Sequence, residues 1–188
     1  MFAVRLQGVE QAQKMLRELD KKIDPVLRGS VNTTATSTRT QRYANPMRGS
    51  FPTAFSRQKI KVKRAGRRYS DARLIPSSAG IDVPEYKSWG YDPIDKTRAR
   101  IWVTGPNGRK VAAGFVNPSS RKRLPWATKS EKRTARKAYI YGRDMITAQG
   151  PSMAYWFRQL TDAGTIRWVN AFLQQEFAKR LRKEMAKP

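Results

Sequence analysis

The chain contains no cysteine and no histidine, few acidic residues and no long apolar run. Without cysteine there is no disulfide, no thiolate nucleophile and no Cys/His zinc site. Without histidine there is no imidazole base and no His-based triad. The lack of cysteine fits a reducing compartment. No stretch approaches the roughly 18 apolar residues that a membrane span requires. The opening MFAVRLQGVEQAQ lacks the apolar core of a secretory signal. These absences predict a soluble chain made in the cytoplasm, with no membrane contact and no cofactor.

What is present in excess is positive charge. The 188 residues carry 39 Lys and Arg against 14 Asp and Glu, a net charge of +25, with 39% apolar residues. That length suits a single domain spanning 1–188. The apolar share supports a modest core with extended basic elements. Residues 48–73 hold nine Lys/Arg and one acid (Asp71), and residues 119–143 again hold nine and one (Glu131). A surface built only for solubility would mix its signs. Charge so concentrated repels itself, and an acidic or polyanionic partner relieves the repulsion.

Periodicity predicts helices at both ends. Val9, Ala12, Leu16, Leu19 and Ile23 form one apolar stripe. Asp24-Pro25 reads as the start of a second helix or a kinked continuation, with Leu27, Val31, Ala35 and Thr38 as its face. At the other end, Ile166, Val169, Leu173, Phe177, Leu181 and Met185 share a stripe that begins near Thr165. Between them, ANPMRGSFPTAF is rich in breakers, so 44–57 reads as a linker. A strand follows at Lys59 to Arg64, and Pro76 and Pro84 restrict the next strands to short pieces. RARIWVTGPNGRKVAAGFV reads as a hairpin turning at GPNG. Residues 117–138 have no period and read as an extended basic loop or arm, after which Gly150-Pro151 turns into a short helix with Tyr155, Trp156 and Leu160. The order implies α+β, an antiparallel β-sheet with N-terminal and C-terminal helices packed on it, plus extended basic loops.

The candidate binding residues lie in the two basic stretches. In KIKVKRAGRR, Ile60 and Val62 face a core, while Lys59, Lys61 and Lys63 form a solvent row about 6.5 to 7 Å apart. That spacing is near the phosphate repeat of one nucleic-acid strand. Arg64, Arg67 and Arg68 extend it. The second set is Arg121, Lys122, Arg123, Arg133, Arg136 and Lys137, with Trp126 as an aromatic anchor into a partner surface. The cluster at 179–183 reads as a solvated face at the negative end of a helix dipole. Asp82, Glu85 and Lys87 faintly match a metal-dependent nuclease arrangement, but Pro84 opposes the regular strand such sites use, and a solvated loop is simpler. No phosphate-binding glycine loop or nucleophile elbow is present.

Taken in order, GVEQAQKMLREL, RGSVNTTATSTRTQ, KIKVKRA, ARLIPSSAGIDV, RKVAAGFV, YIYGRDMITAQGPSM and the closing basic helix resemble the minor tail protein Z family of lambda-type phages, related to tail-completion and neck proteins. The resemblance implies a structural virion protein, made in the host cytoplasm, at the head-proximal end of a long tail. It would complete the tail and help join it to the head connector. Its implied partners are copies of itself in a ring, six by analogy, the tail terminator or tail tube, the connector proteins, and the packaged DNA whose path it encircles. The family offers no catalytic residues. The residues alone also accommodate a stand-alone, sequence-independent nucleic-acid-binding protein and, less well, a metal-dependent nuclease.

Overall fold

The structure, a computed structural model, describes residues 9–68, 71–135 and 138–187, and the side chains of all of these except 9–22 and 129–144. The chain is α+β, with helices towards both ends and strands between them, as its periodicities imply. Its residues gather into two compact units. A helical unit comprises Met1–Thr38, Val62–Leu74 and Ala163–Pro188, and a sheet unit comprises Arg39–Lys61 and Ile75–Asp162. The described strands belong to four small sheets. The terminal helices pack on each other.

In the helical unit, α1 (Val9–Thr38) is one helix that passes through Pro25. An interior proline costs about 3 kcal/mol, and the packing of α1 along α4 (Ala163–Met185) offsets it. The buried residues of α1 are Val26, Ser30, Thr34 and Thr38, four apart. The expected face was Leu27, Val31, Ala35 and Thr38, so the inward stripe is turned by one residue, and Leu27 is exposed. Short hydroxyl side chains make this possible. Ser30 Oγ donates to the Val26 carbonyl at 2.8 Å, and Thr36 Oγ1 to that of Asn32 at 3.0 Å. Of the three buried hydroxyls, Ser30 is satisfied by its own helix in this way, whereas Thr34 and Thr38 have no hydrogen-bond partner. On α4, Val169, Leu173, Phe177 and Leu181 are half-buried, whereas Ile166 and Met185 at the ends of the expected stripe are exposed.

The sheet unit begins with residues assigned to a linker. The segment 44–57 is instead a 3-10 turn, Pro46–Gly49, and α2 (Thr53–Lys59), with Ala44, Met47, Phe51 and Ser56 fully buried. Its prolines initiate helical turns rather than interrupting chain order: Pro46 opens the 3-10 turn and Pro52 sits at the start of α2. Strand β1 (Ile60–Lys63) pairs with β2 (Arg73–Pro76). β3 (Ile81–Asp82) pairs antiparallel with β9 (Gln149–Gly150). β4 (Trp89–Pro93), β5 (Ala99–Gly105) and β6 (Gly108–Val111) form a three-stranded antiparallel sheet.

The β5–β6 hairpin is the one expected. Ala99, Ile101, Val103 and Gly105 are buried, the residues between them are not, and Gly105 pairs with Gly108 around Pro106-Asn107. Gly108 takes φ +100°, which a glycine adopts without strain. The β4–β5 turn is held by Asp95, whose Oδ1 accepts from the backbone N–H groups of Thr97 and Arg98, both at 2.7 Å.

The largest departure is at 117–138. Trp126–Ala135 is strand β7, paired antiparallel along ten register positions with β8 (Ala138–Thr147). The chemistry is plain in hindsight. WATKSEKRTA and AYIYGRDMIT are rich in Thr, Tyr and Ile, and a long two-stranded ribbon needs β-propensity rather than an apolar core pattern. α3 (Met153–Leu160) starts at Ser152, whose Oγ accepts from the Tyr155 N–H at 3.3 Å. Trp156 on α3 lies in the core with Phe51, Met47, Ile60, Ile81, Val83, Tyr86, Ile101, Val103 and Met153. Its ring lies against Gly105, where an added Cβ would come within 2.0 Å of it.

Candidate polyanion and partner surface

The first basic stretch divides between the two units. In the helical unit the connection after β1 is docked, not loose. The Asn32 side chain brackets the peptide group of Ala65: Oδ1 accepts from the Ala65 N–H at 2.8 Å, and Nδ2 donates to the Ala65 carbonyl at 3.2 Å. This pair mimics one step of a β ladder and fixes the turn to α1. Lys63, Arg64, Arg67 and Arg68 around it are exposed. A fixed backbone carrying exposed guanidinium groups loses less conformational freedom on binding an anion than a floppy arm does. Beyond it, Asp71 accepts from Arg73 Nε, which pulls the Asp71 carboxyl below its ordinary value.

The alternating row is only partly as expected. Ile60 is fully buried, while Val62 is half-buried. Lys61 and Lys63 are exposed, but Lys59 is the last residue of α2 and not a strand residue. Its Nζ stands 5.4 Å from the centroid of the Phe55 ring, a cation–π contact that draws it out of the row. In the sheet unit, Lys59 and Lys61 line a groove of about 510 Å³ together with Gln58, Ile75, Pro76 and Ser78.

The second basic stretch is not a free arm. Ser119 Oγ donates to the Lys96 carbonyl at 2.6 Å, the Ser119 N–H donates to Asn117 Oδ1 at 3.0 Å, and the Pro125 carbonyl accepts from the Ala148 N–H at 3.0 Å. Between these pins, Arg121, Lys122 and Arg123 lie on an exposed turn, and Arg123 takes the left-handed φ of 44°. Trp126 is half-buried and exchanges both backbone hydrogen bonds with Phe115, at 2.7 and 2.9 Å. It is therefore the root of the ribbon instead of an anchor on a loop. Arg133 sits on β7 opposite Ile140, with its side chain outside the description, and Arg136 and Lys137 lie outside the described residues.

No family model matches this chain, and neither a curated protein nor a solved structure does. The surface must therefore be read from its own chemistry.

The acids that faintly resembled a nuclease point elsewhere. Asp82 Oδ1 accepts from Gln149 Nε2 at 3.3 Å, and Lys87 Nζ donates to the Arg48 carbonyl at 2.8 Å. Glu85 is exposed on a 3-10 turn. Among the described residues, no three acidic side chains gather where they could hold a metal ion. No described helix is long and apolar enough to cross a membrane.

Two positioning residues were invisible in the sequence. Asn32 lies in a stretch where only a helical face was expected, and its partner is 33 residues away. Arg180 was counted with a solvated cluster. It donates from Nε to Glu176 Oε1 and from its terminal Nη2 to Thr33 Oγ1, each at 2.7 Å, so that α1 and α4 are bridged by a guanidinium. Lys179, Arg182 and Lys183 are exposed as expected.

Proposed function

We propose that this chain is a structural assembly protein of a phage tail, acting at the head-proximal end to complete the tail and help join it to the head connector. The reading draws its family from the resemblance in motif order, and the structure supplies a means. The observation that carries it is the docked turn at 64–68. A protein whose work is binding a large, fixed, negatively charged surface benefits from cations held on a rigid support, and the Asn32 clamp provides one. The pinned turn at 121–123 offers a second such set. Copies of the chain would be arranged around the DNA path, with cyclic closure limiting their number.

The test is made on particles. Replacing Arg64, Arg67 and Arg68 together by Ala should leave the chain folded, because all three are exposed. Electron microscopy of lysates should then show filled heads and finished tails that remain apart. Normal joined particles would overturn the reading. A second reading, the stand-alone nucleic-acid binder, is favoured by the net charge of +25. It requires a monomer that holds random DNA with a steep salt dependence, and particles that form without the chain.

A further inference from the structure

The groove beside β1 and β2 has a mixed character that the basic turns lack. Lys59 and Lys61 are part of its lining, Ile75, Pro76 and Ala79 supply apolar surface, and Gln58, Ser77 and Ser78 add polar groups. Ile75 is 49% exposed, a large aliphatic side chain left in water in the groove that Lys59 and Lys61 also line. The floor is firm: the Ser77 N–H donates to the Lys59 carbonyl at 2.8 Å, and the Ser77 carbonyl accepts from the Ala154 N–H at 2.9 Å.

A nucleic-acid strand would find the cations but no stacking platform among the described residues, since none of those lining the groove is aromatic. The nearby Phe55 ring already has the Lys59 ammonium over it. Exposed aliphatic surface gives nothing to a phosphate backbone. A protein segment that alternates carboxylates with aliphatic side chains satisfies both halves of the lining at once. A second copy of this chain is a poor occupant of a lysine-lined groove, since it offers only 14 Asp and Glu against 39 Lys and Arg. We infer that this groove is a docking site for an extended acidic–aliphatic segment of a different, acidic protein. The inference deepens the assembly reading and rests on it only in taking the partner to be a protein.

Binding can be measured on the isolated full-length chain, separately from any effect on particle joining. The probe is a fluorescein-labelled peptide of alternating aspartate and leucine, compared by anisotropy with polyaspartate and with a thymidine oligonucleotide. The alternating peptide should bind more tightly than polyaspartate. Lys61→Glu should weaken it about tenfold. Ile75→Ser should weaken it about fivefold while leaving polyaspartate and the oligonucleotide unaffected. Because the chain has no cysteine, Ser78→Cys can be capped with a bulky maleimide at that one position, which should block the peptide without moving the thermal midpoint. Peptide binding indifferent to all three changes would overturn the inference. So would an oligonucleotide that competes for the groove and loses affinity with Ile75→Ser, or self-association abolished by Lys61→Glu. Failure here with normal sensitivity of particle joining to the arginine changes would leave the assembly reading standing.

Discussion

Trp156, Phe51, Met47, Ile60 and Ile101 fill the interior of the sheet unit, whereas the described part of α1 in the helical unit buries Val26 alongside Ser30, Thr34 and Thr38. One unit excludes water with large apolar side chains. The other buries small hydroxyls along the described part of α1, and Arg180 bridges α1 to α4, whose apolar face is half-buried. The difference has an energetic side. Apolar burial is non-directional and accumulates with area. A hydroxyl and guanidinium seam depends on a few partners being in place. Buried polar atoms without a hydrogen-bond partner occur in both units, Thr34 and Thr38 Oγ1 in the helical one and Arg39 Nε, Asn45 Oδ1 and Ser56 Oγ in the other, each a cost of about 1–3 kcal/mol. The sheet unit is not purely apolar either: Trp156 Nε1 donates to Tyr86 Oη at 3.1 Å, and Tyr86 Oη donates to the Pro151 carbonyl at 2.6 Å.

The comparison is broken most severely in the sheet unit. Trp156→Ala removes the largest fully buried side chain and should cost about 3–5 kcal/mol. Ile60→Asp, which buries an unpaired charge, belongs in the same range of several kcal/mol. Denaturant titration checks both, and a loss under about 1 kcal/mol for either would mean that the interior is not close-packed. Val62→Asp should cost clearly less, because Val62 is only half-buried.

The helical seam is probed by a double-mutant cycle on Gly29 and Arg180. A Cβ at position 29 would meet the Arg180 guanidinium at 2.5 Å. Arg180→Ala should cost about 1–2 kcal/mol through its lost partners. In that background Gly29→Ala should recover up to about 1 kcal/mol from helix propensity, and recover less when Arg180 is present. Equal effects in both backgrounds would show that the guanidinium does not occupy the seam in solution.

Alkaline titration separates the units by a different property. Burial raises the Tyr86 hydroxyl from 10.0 to about 12, partly opposed by the hydrogen bond from Trp156. A group whose folded value is raised contributes stability that is complete below its unfolded value and is lost as pH rises through the folded one. Stability should therefore decline between pH 10.0 and about 12. Tyr86→Phe should lower stability at neutral pH and flatten this alkaline limb. An unchanged limb would show that another group controls it.

The smallest effect is expected on the surface. Lys59, Lys61 and Lys63 changed together to Gln should shift stability by no more than about 0.5–1 kcal/mol, most of it from the Lys59 contact with Phe55. Polyanion binding should weaken more visibly. Unfolding of this variant would mean the lysines are structural.

The sequence by itself determined the charge, its concentration in two stretches, the terminal helices and the β5–β6 hairpin, because each is a local property. Helical period, strand alternation and a GPNG turn act over a few residues, and charge needs only counting. Tertiary structure decided what local pattern cannot encode. Pro46 and Pro52 looked like breaks but start helical turns, because Met47 and Phe51 beside them have a core to enter. The 126–135 strand had no apolar alternation to reveal it, and its backbone pairing with β8 is not announced by any pattern within the strand. The inward face of α1 turned by one residue because close approach to another helix rewards small side chains over large ones. Asn32 and Arg180 became positioning residues only through partners 33 and 147 positions away, and such distances are closed by the fold alone.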